Sequence, residues 1–134
     1  MISLPDGWSS RTSSSAIHFT STVNSIDVSW RTDPAGLPEL SLARSDVAAL
    51  RRSLAHFQFL SLHPVALAGG PAVLVEYRAT SSPDPVTGRN YRLIVERFTF
   101  VKRTRVLILS LSSPIGADNV DPWRIISQSV RFTD

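Results

Sequence analysis

From Phe57 to Ser112 the chain passes through four strand-like stretches in succession with no helical segment between them, and this run limits the fold more than any other feature. Parallel neighbours need a long crossover, usually a helix, so strands that follow one another this directly pair antiparallel. The first stretch, Phe57 to Ala68, contains Pro64, which lacks an N–H and so predicts an edge position or a bulge. Gly69-Gly70 makes a tight turn into Ala72 to Arg78. A polar loop, Thr80 to Asn90, holds Pro83, Asp84, Pro85 and Gly88 and precedes a long strand, Tyr91 to Val101. The basic turn Lys102-Arg103-Thr104 then returns into Arg105 to Ser112.

Upstream, Ile17 and Phe19 alternate with small or polar neighbours in Ala16 to Thr20. In Ile26 to Arg31, the residues Ile26, Val28 and Trp30 share one face while Asp27, Ser29 and Arg31 share the other. Asp33-Pro34-Ala35-Gly36 reads as a turn. From Ser41 to His56 the period changes, and Leu42, Val47, Leu50 and Leu54 form a helical stripe with Arg44, Arg51 and Arg52 outside it. Pro114 and Gly116 close the fourth strand of the central run. Asp121-Pro122 looks like an N-cap and first helical position for a helix carrying Trp123, Ile125 and Ile126, after which Val130 to Phe132 adds a last short strand. The predicted class is α+β, a mainly antiparallel sheet of about six or seven strands flanked by helices. The 134 residues suit a single domain, 1–134, large enough to fold without metal or disulfide staples.

The chain has no cysteine, which excludes thiolate metal sites, cysteine nucleophiles and dithiol redox chemistry. Its net charge of +3 is carried almost wholly by arginine, Lys102 being the one lysine. Nucleic-acid binding requires basic residues clustered on one face. Here they are spread from Arg11 to Arg131, the tightest groups being Arg51-Arg52 and Lys102-Arg103 with Arg105, so no nucleic-acid partner is expected. No apolar run approaches the ~20 residues of a membrane span, and the N-terminal residues lack the basic and apolar regions of a signal peptide.

Catalytic chemistry finds little support. No serine sits in a Gly-x-Ser-x-Gly elbow, and the three histidines, His18, His56 and His63, are scattered and read as exposed or locally hydrogen-bonded side chains. Asp118-Asn119-Val120-Asp121 has a calcium-like look but lacks the alternating oxygen ligands that end in a glutamate, and helix capping explains it more simply. Gly69-Gly70 lies between strands rather than before a helix, so it does not cradle phosphate. No catalytic residue, metal ligand or cofactor is expected. Glu76, Arg78, Glu96 and Arg97 have two readings: cross-strand charge pairs worth a few tenths of a kcal/mol each, or a mixed sheet surface that receives a ligand or peptide. Trp30 and Trp123 read as core residues, whereas Trp8, in a terminal segment, joins the candidate binding surface.

Taken in order, these features resemble the PsbP-like superfamily, which includes the photosystem subunit, the yeast Ran-binding Mog protein and bacterial lipoproteins of the LpqN and DcrB types. The resemblance rests on Leu4-Pro5-Asp6-Gly7-Trp8, on the Gly69-Gly70-Pro71-Ala72 hairpin followed by Glu76-Tyr77, and on Leu109 to Pro114, Asp118 to Trp123 and Ser129 to Phe132. It spans nearly the whole chain and implies an antiparallel sheet flanked by helices, an α/β/α sandwich. It also implies a non-enzymatic accessory, assembly or binding module. Thr87-Gly88-Arg89 together with Gly116 to Trp123 is most similar to actinobacterial members, often lipid- or membrane-anchored. The expectation is therefore the extracytoplasmic part of an anchored bacterial protein that meets a protein or envelope component. With no lipobox cysteine, any anchor lies outside this chain. The alternative is a cytoplasmic chaperone or adaptor similar to the secretion-effector chaperones.

Overall fold

The computed structural model describes residues 9–12, 16–21, 24–83, 86–115, 123, 126 and 127, with the backbone alone at 9–12, 19–21 and 24. Among the described residues, seven strands and one long helix follow in the order β1 (Ser9–Thr12), β2 (Ala16–Ser21), β3 (Asn24–Thr32), α1 (Glu39–Ser53), β4 (Gln58–Leu67), β5 (Gly70–Thr80), β6 (Arg92–Lys102) and β7 (Arg105–Pro114). All pair antiparallel in one sheet of order β1-β2-β3-β7-β6-β5-β4. The α+β class and the mainly antiparallel sheet are as the residue pattern predicts.

Two meanders make up the sheet: β1 to β3, and β4 to β7. They join where β3 lies along β7, with Ile26 beside Leu111 and Val28 beside Leu109. The Asp33 turn is held by its own side chain, which accepts from Ala35 N–H at 3.2 Å and Leu37 N–H at 2.9 Å. Of the two predicted turn glycines, Gly70 takes the positive φ, +124°, while Ala68 and Gly69 form the turn itself. Pro64 does lie on an edge strand, and the irregularity in β4 falls four residues earlier, between Phe59 and Ser61.

Strand alternation gives the sheet two different faces. On one, Val73, Val75, Tyr77, Ala79 and Val95 pack under α1 through Ala43, with Val47, Leu50 and Leu54 alongside. Leu42 of α1 reaches Val106 and Ile108 on β7. On the other face, Ile26, Val28, Leu74, Phe98, Phe100, Leu109 and Leu111 bury together with Ile126, and Trp123 packs against them. Trp123, Ile126 and Ser127 are helical, as expected for the helix predicted to carry Trp123, Ile125 and Ile126.

Three readings need correction. The residue pattern places no strand before Ala16, yet Ser9–Thr12 form β1, a short edge strand without apolar alternation. The helix begins two residues before Ser41 and ends at Ser53, because Leu54 has extended geometry. Trp30 is not a core residue: it ends up 38% exposed near the end of β3, opposite Leu107. The predicted Asp121-Pro122 cap, the Asp118 to Asp121 run and the strand Val130 to Phe132 lie outside the described residues.

Candidate functional site

The structure divides the predicted binding surface. Glu76, Arg78 and Glu96 lie on the sheet face away from α1, with Glu76 directly opposite Glu96 and Arg78 opposite Ile94. Arg97 follows Glu96 in the strand and so faces the other way, under α1, where its Nη2 donates to Asp46 Oδ2 at 3.0 Å. Trp8 lies outside the described residues. The expected charge pairs among the four are not formed: the ion pairs among the described residues are His18–Asp27 and Arg97–Asp46.

Two carboxylates directly opposite each other repel. Glu76 is partly relieved because Ser61 Oγ donates to its Oε1 at 3.2 Å. Burial, with the Glu76 charge adding to it, pushes the Glu96 carboxyl up from its usual range. A raised pKa means that the folded chain holds this proton more tightly than the unfolded chain. The associated penalty is absent at low pH and grows as pH rises from the unfolded value through the folded one. Glu96→Gln is expected to raise the unfolding free energy at pH 7 by about 0.5 kcal/mol, with the gain shrinking towards zero near pH 4. Urea midpoints of both proteins at the two pH values check it.

The sheet face that bears α1 also carries a polar row, running outward from Arg97, that sequence reading missed. Arg97 pairs in register with Ser110, Ser110 with Asp27, and Asp27 with His18. His18 Nδ1 and Asp27 Oδ1 are hydrogen-bonded, Ser25 Oγ reaches Asp27 Oδ2 at 3.5 Å, and Ser25 and Ser112 share a hydroxyl contact. Beside the row, burial pushes the Tyr77 phenol up; the Arg97 charge opposes this and the Asp27 charge adds to it. The set contains histidine, aspartate and serine, but Ser25 bonds the carboxylate and not the imidazole, so it is not the relay of a nucleophilic serine. His18 and Asp27 are 35% and 51% exposed at their side chains. His56 bonds Thr80 Oγ1 at 3.2 Å, and His63 is exposed on β4. Among the described residues, no group of three histidines or carboxylates gathers to hold a metal ion.

Among the cavities lined by described residues, one lies between α1 and β4. It is an open groove of about 330 Å³ lined by Arg44, Val47, Arg51, Phe59 and Leu62. Helical spacing explains its charged wall: positions i, i+3 and i+7 stack on one flank, so Arg44, Val47 and Arg51 form a stripe facing β4. The other flank carries Leu42 and Asp46 towards β7 and β6. Phe59 supplies an apolar floor that is 40% exposed, next to Leu60 at 38%. Arg51 stacks on Phe57 at 5.5 Å and also sits in the last helical turn, where a cation suits the helix dipole. Neither Arg44 nor Arg51 has a carboxylate partner among the described residues. A second cavity of about 230 Å³, lined by Ser29, Trp30, Arg31, Val106 and Ile108, lies at the far end of the β3–β7 seam.

No family model matches the chain, and no curated protein does. Solved structures do. PA94 of Pseudomonas aeruginosa, a protein of unknown function, superposes with a TM-score of 0.69 at 18% identity, over 98% of this chain and 90% of that one. LpqN of Mycobacterium tuberculosis, involved in cell envelope biogenesis, gives 0.59 at 16% identity, over 100% of this chain and 83% of that one. A Bacteroides thetaiotaomicron protein gives 0.56 at 9% identity, and this chain covers 45% of it. At these identities the likeness is one of fold, and it bears out the LpqN-type part of the resemblance.

Proposed function

We propose that this chain is a non-enzymatic accessory domain of PsbP-like type that works by binding, the extracytoplasmic part of a membrane- or lipid-anchored bacterial protein. The observation that carries the binding role is the α1–β4 groove, where two arginines with no carboxylate partner among the described residues flank exposed apolar side chains. Unpaired cations over an apolar floor recognise a ligand and offer no nucleophile or general base. The envelope part is supported by fold likeness to LpqN along the full chain. No helix among the described residues is long and apolar enough to cross a membrane, so an anchor would come from elsewhere in the protein.

The experiment is to isolate the native protein from its own cells and determine its mass, its N-terminal sequence and the fraction that holds it. A lipid-modified or membrane-anchored form in the envelope fraction supports the reading. An unmodified protein confined to the cytosol with bound clients overturns the envelope part in favour of an adaptor. Turnover of a small substrate that depends on His18 or Asp27 overturns the non-enzymatic part.

A further inference from the structure

We infer that the α1–β4 groove receives an acidic amphipathic helix of a partner protein, one that carries two carboxylates seven residues apart with apolar side chains between them. This deepens the binding role proposed above and rests on it. The wall of the groove is the stripe Arg44-Val47-Arg51 and its floor is Leu62 with Phe59. Seven helical residues span about 10 Å, so the complement to two cations with an apolar residue between them is another helix with the same repeat.

Charge selects the sign of the occupant. The chain is net positive, and its two described ion pairs lie elsewhere, leaving the groove arginines to an incoming anion. Arginine is the cation that bonds carboxylates in bidentate fashion and stacks on rings, as Arg51 does on Phe57. The neighbouring edge strand argues for a helix over an extended peptide. A strand that adds to β4 needs a regular row of outward N–H and C=O groups. β4 offers a bulge between Phe59 and Ser61 and a proline at position 64, each of which interrupts that row. A helix arrives with its backbone bonds already made and uses only side chains.

The test uses the full chain and a fluorescein-labelled, alanine-rich helical peptide of about 16 residues. It carries glutamates seven apart and leucines at the third and fourth positions between them. Fluorescence anisotropy is expected to show saturable binding, weakened about tenfold when the glutamates become glutamines. Binding is expected to vanish for Arg44→Glu/Arg51→Glu and to return to that variant when the peptide carries lysines instead. Arg44→Gln, which keeps Arg51 over Phe57, is expected to give an intermediate loss. Both positions are solvent-exposed, and circular dichroism verifies that the variants fold.

Equal binding of the glutamate and glutamine peptides overturns the proposal, as does binding that survives the double substitution. So does the absence of binding at about 1 mM peptide. Phosphatidylglycerol vesicles that bind the native chain but not the double variant, while the peptide stays unbound, overturn it in favour of a membrane surface. The fractionation result does not depend on the groove, so the two readings fail separately.

Discussion

Phe100→Ala is expected to lower the unfolding free energy by about 3–5 kcal/mol. Phe100 is fully buried at the centre of the sheet face away from α1. Its register partners are Ala72 on β5 and Leu107 on β7, and its ring stacks with Phe98 at 6.5 Å between centroids. Ala72 is too small to move into the void, and the strands on both sides are fixed by their ladders, so the cavity stays open. A domain has roughly 5–15 kcal/mol of stability in total, so the variant is expected to unfold at a much lower urea concentration or to fail to fold. Phe59→Ala, on the edge strand with 40% exposure, is the control and is expected to cost less than about 1 kcal/mol. Equal losses at the two positions would contradict the placement of the core.

The second large effect concerns Asp46 and Arg97. Their side chains keep 19% exposure each, so the pair is largely but not wholly removed from water. Arg97 is already short of partners, its Nε being buried without an acceptor. Asp46→Ala leaves a mostly buried cation with no counter-charge and is expected to cost about 2–3 kcal/mol, less than for a fully dry pair because the guanidinium keeps some water. Arg97→Met removes the charge that is costly to bury and replaces it with an apolar chain beside Val75 and Ser110. Asp46, on a surface helix, can then turn to solvent, so this variant is expected to lose less than about 1 kcal/mol. In Asp46→Ala/Arg97→Met the loss is expected to be smaller than in Asp46→Ala alone. Urea titration of the three variants closes the cycle, and a double variant worse than both singles would refute the desolvation argument.

Much of the fold is legible in the residues because its signals are local. Alternation in Val73, Val75 and Tyr77 marks the face that meets α1, and the glycine and basic turns mark two hairpins. β1 is not legible because Ser-Ser-Arg-Thr has no apolar residue to alternate, and its place is set by pairing with β2. The separation of Glu96 from Arg97 follows from strand period alone, and it already argues against treating the two as one surface. The opposition of Glu76 and Glu96 does not, because the irregular segment between Thr80 and Arg92 leaves the register free.

The groove is half legible. The spacing of Arg44, Val47 and Arg51 is in the sequence, yet arginines outside an apolar stripe read as solvated until topology puts β4 alongside. The His18–Asp27 row is the least legible part. It gathers residues from β2, β3, β6 and β7, and only the β3–β7 pairing brings them into line.

That same pairing orders events in time. Each meander closes through connections between strands adjacent in sequence, but Ser25 and Ser112, which touch in the finished sheet, are 87 positions apart. Joining them requires the intervening chain to surrender its freedom before the contact rewards it. The β4–β7 meander with α1 is therefore expected to collapse first, and the β1–β3 segment to zip onto it last. Until it does, one rim of Leu109 and Leu111 stands open, and the newborn chain is at its most adhesive.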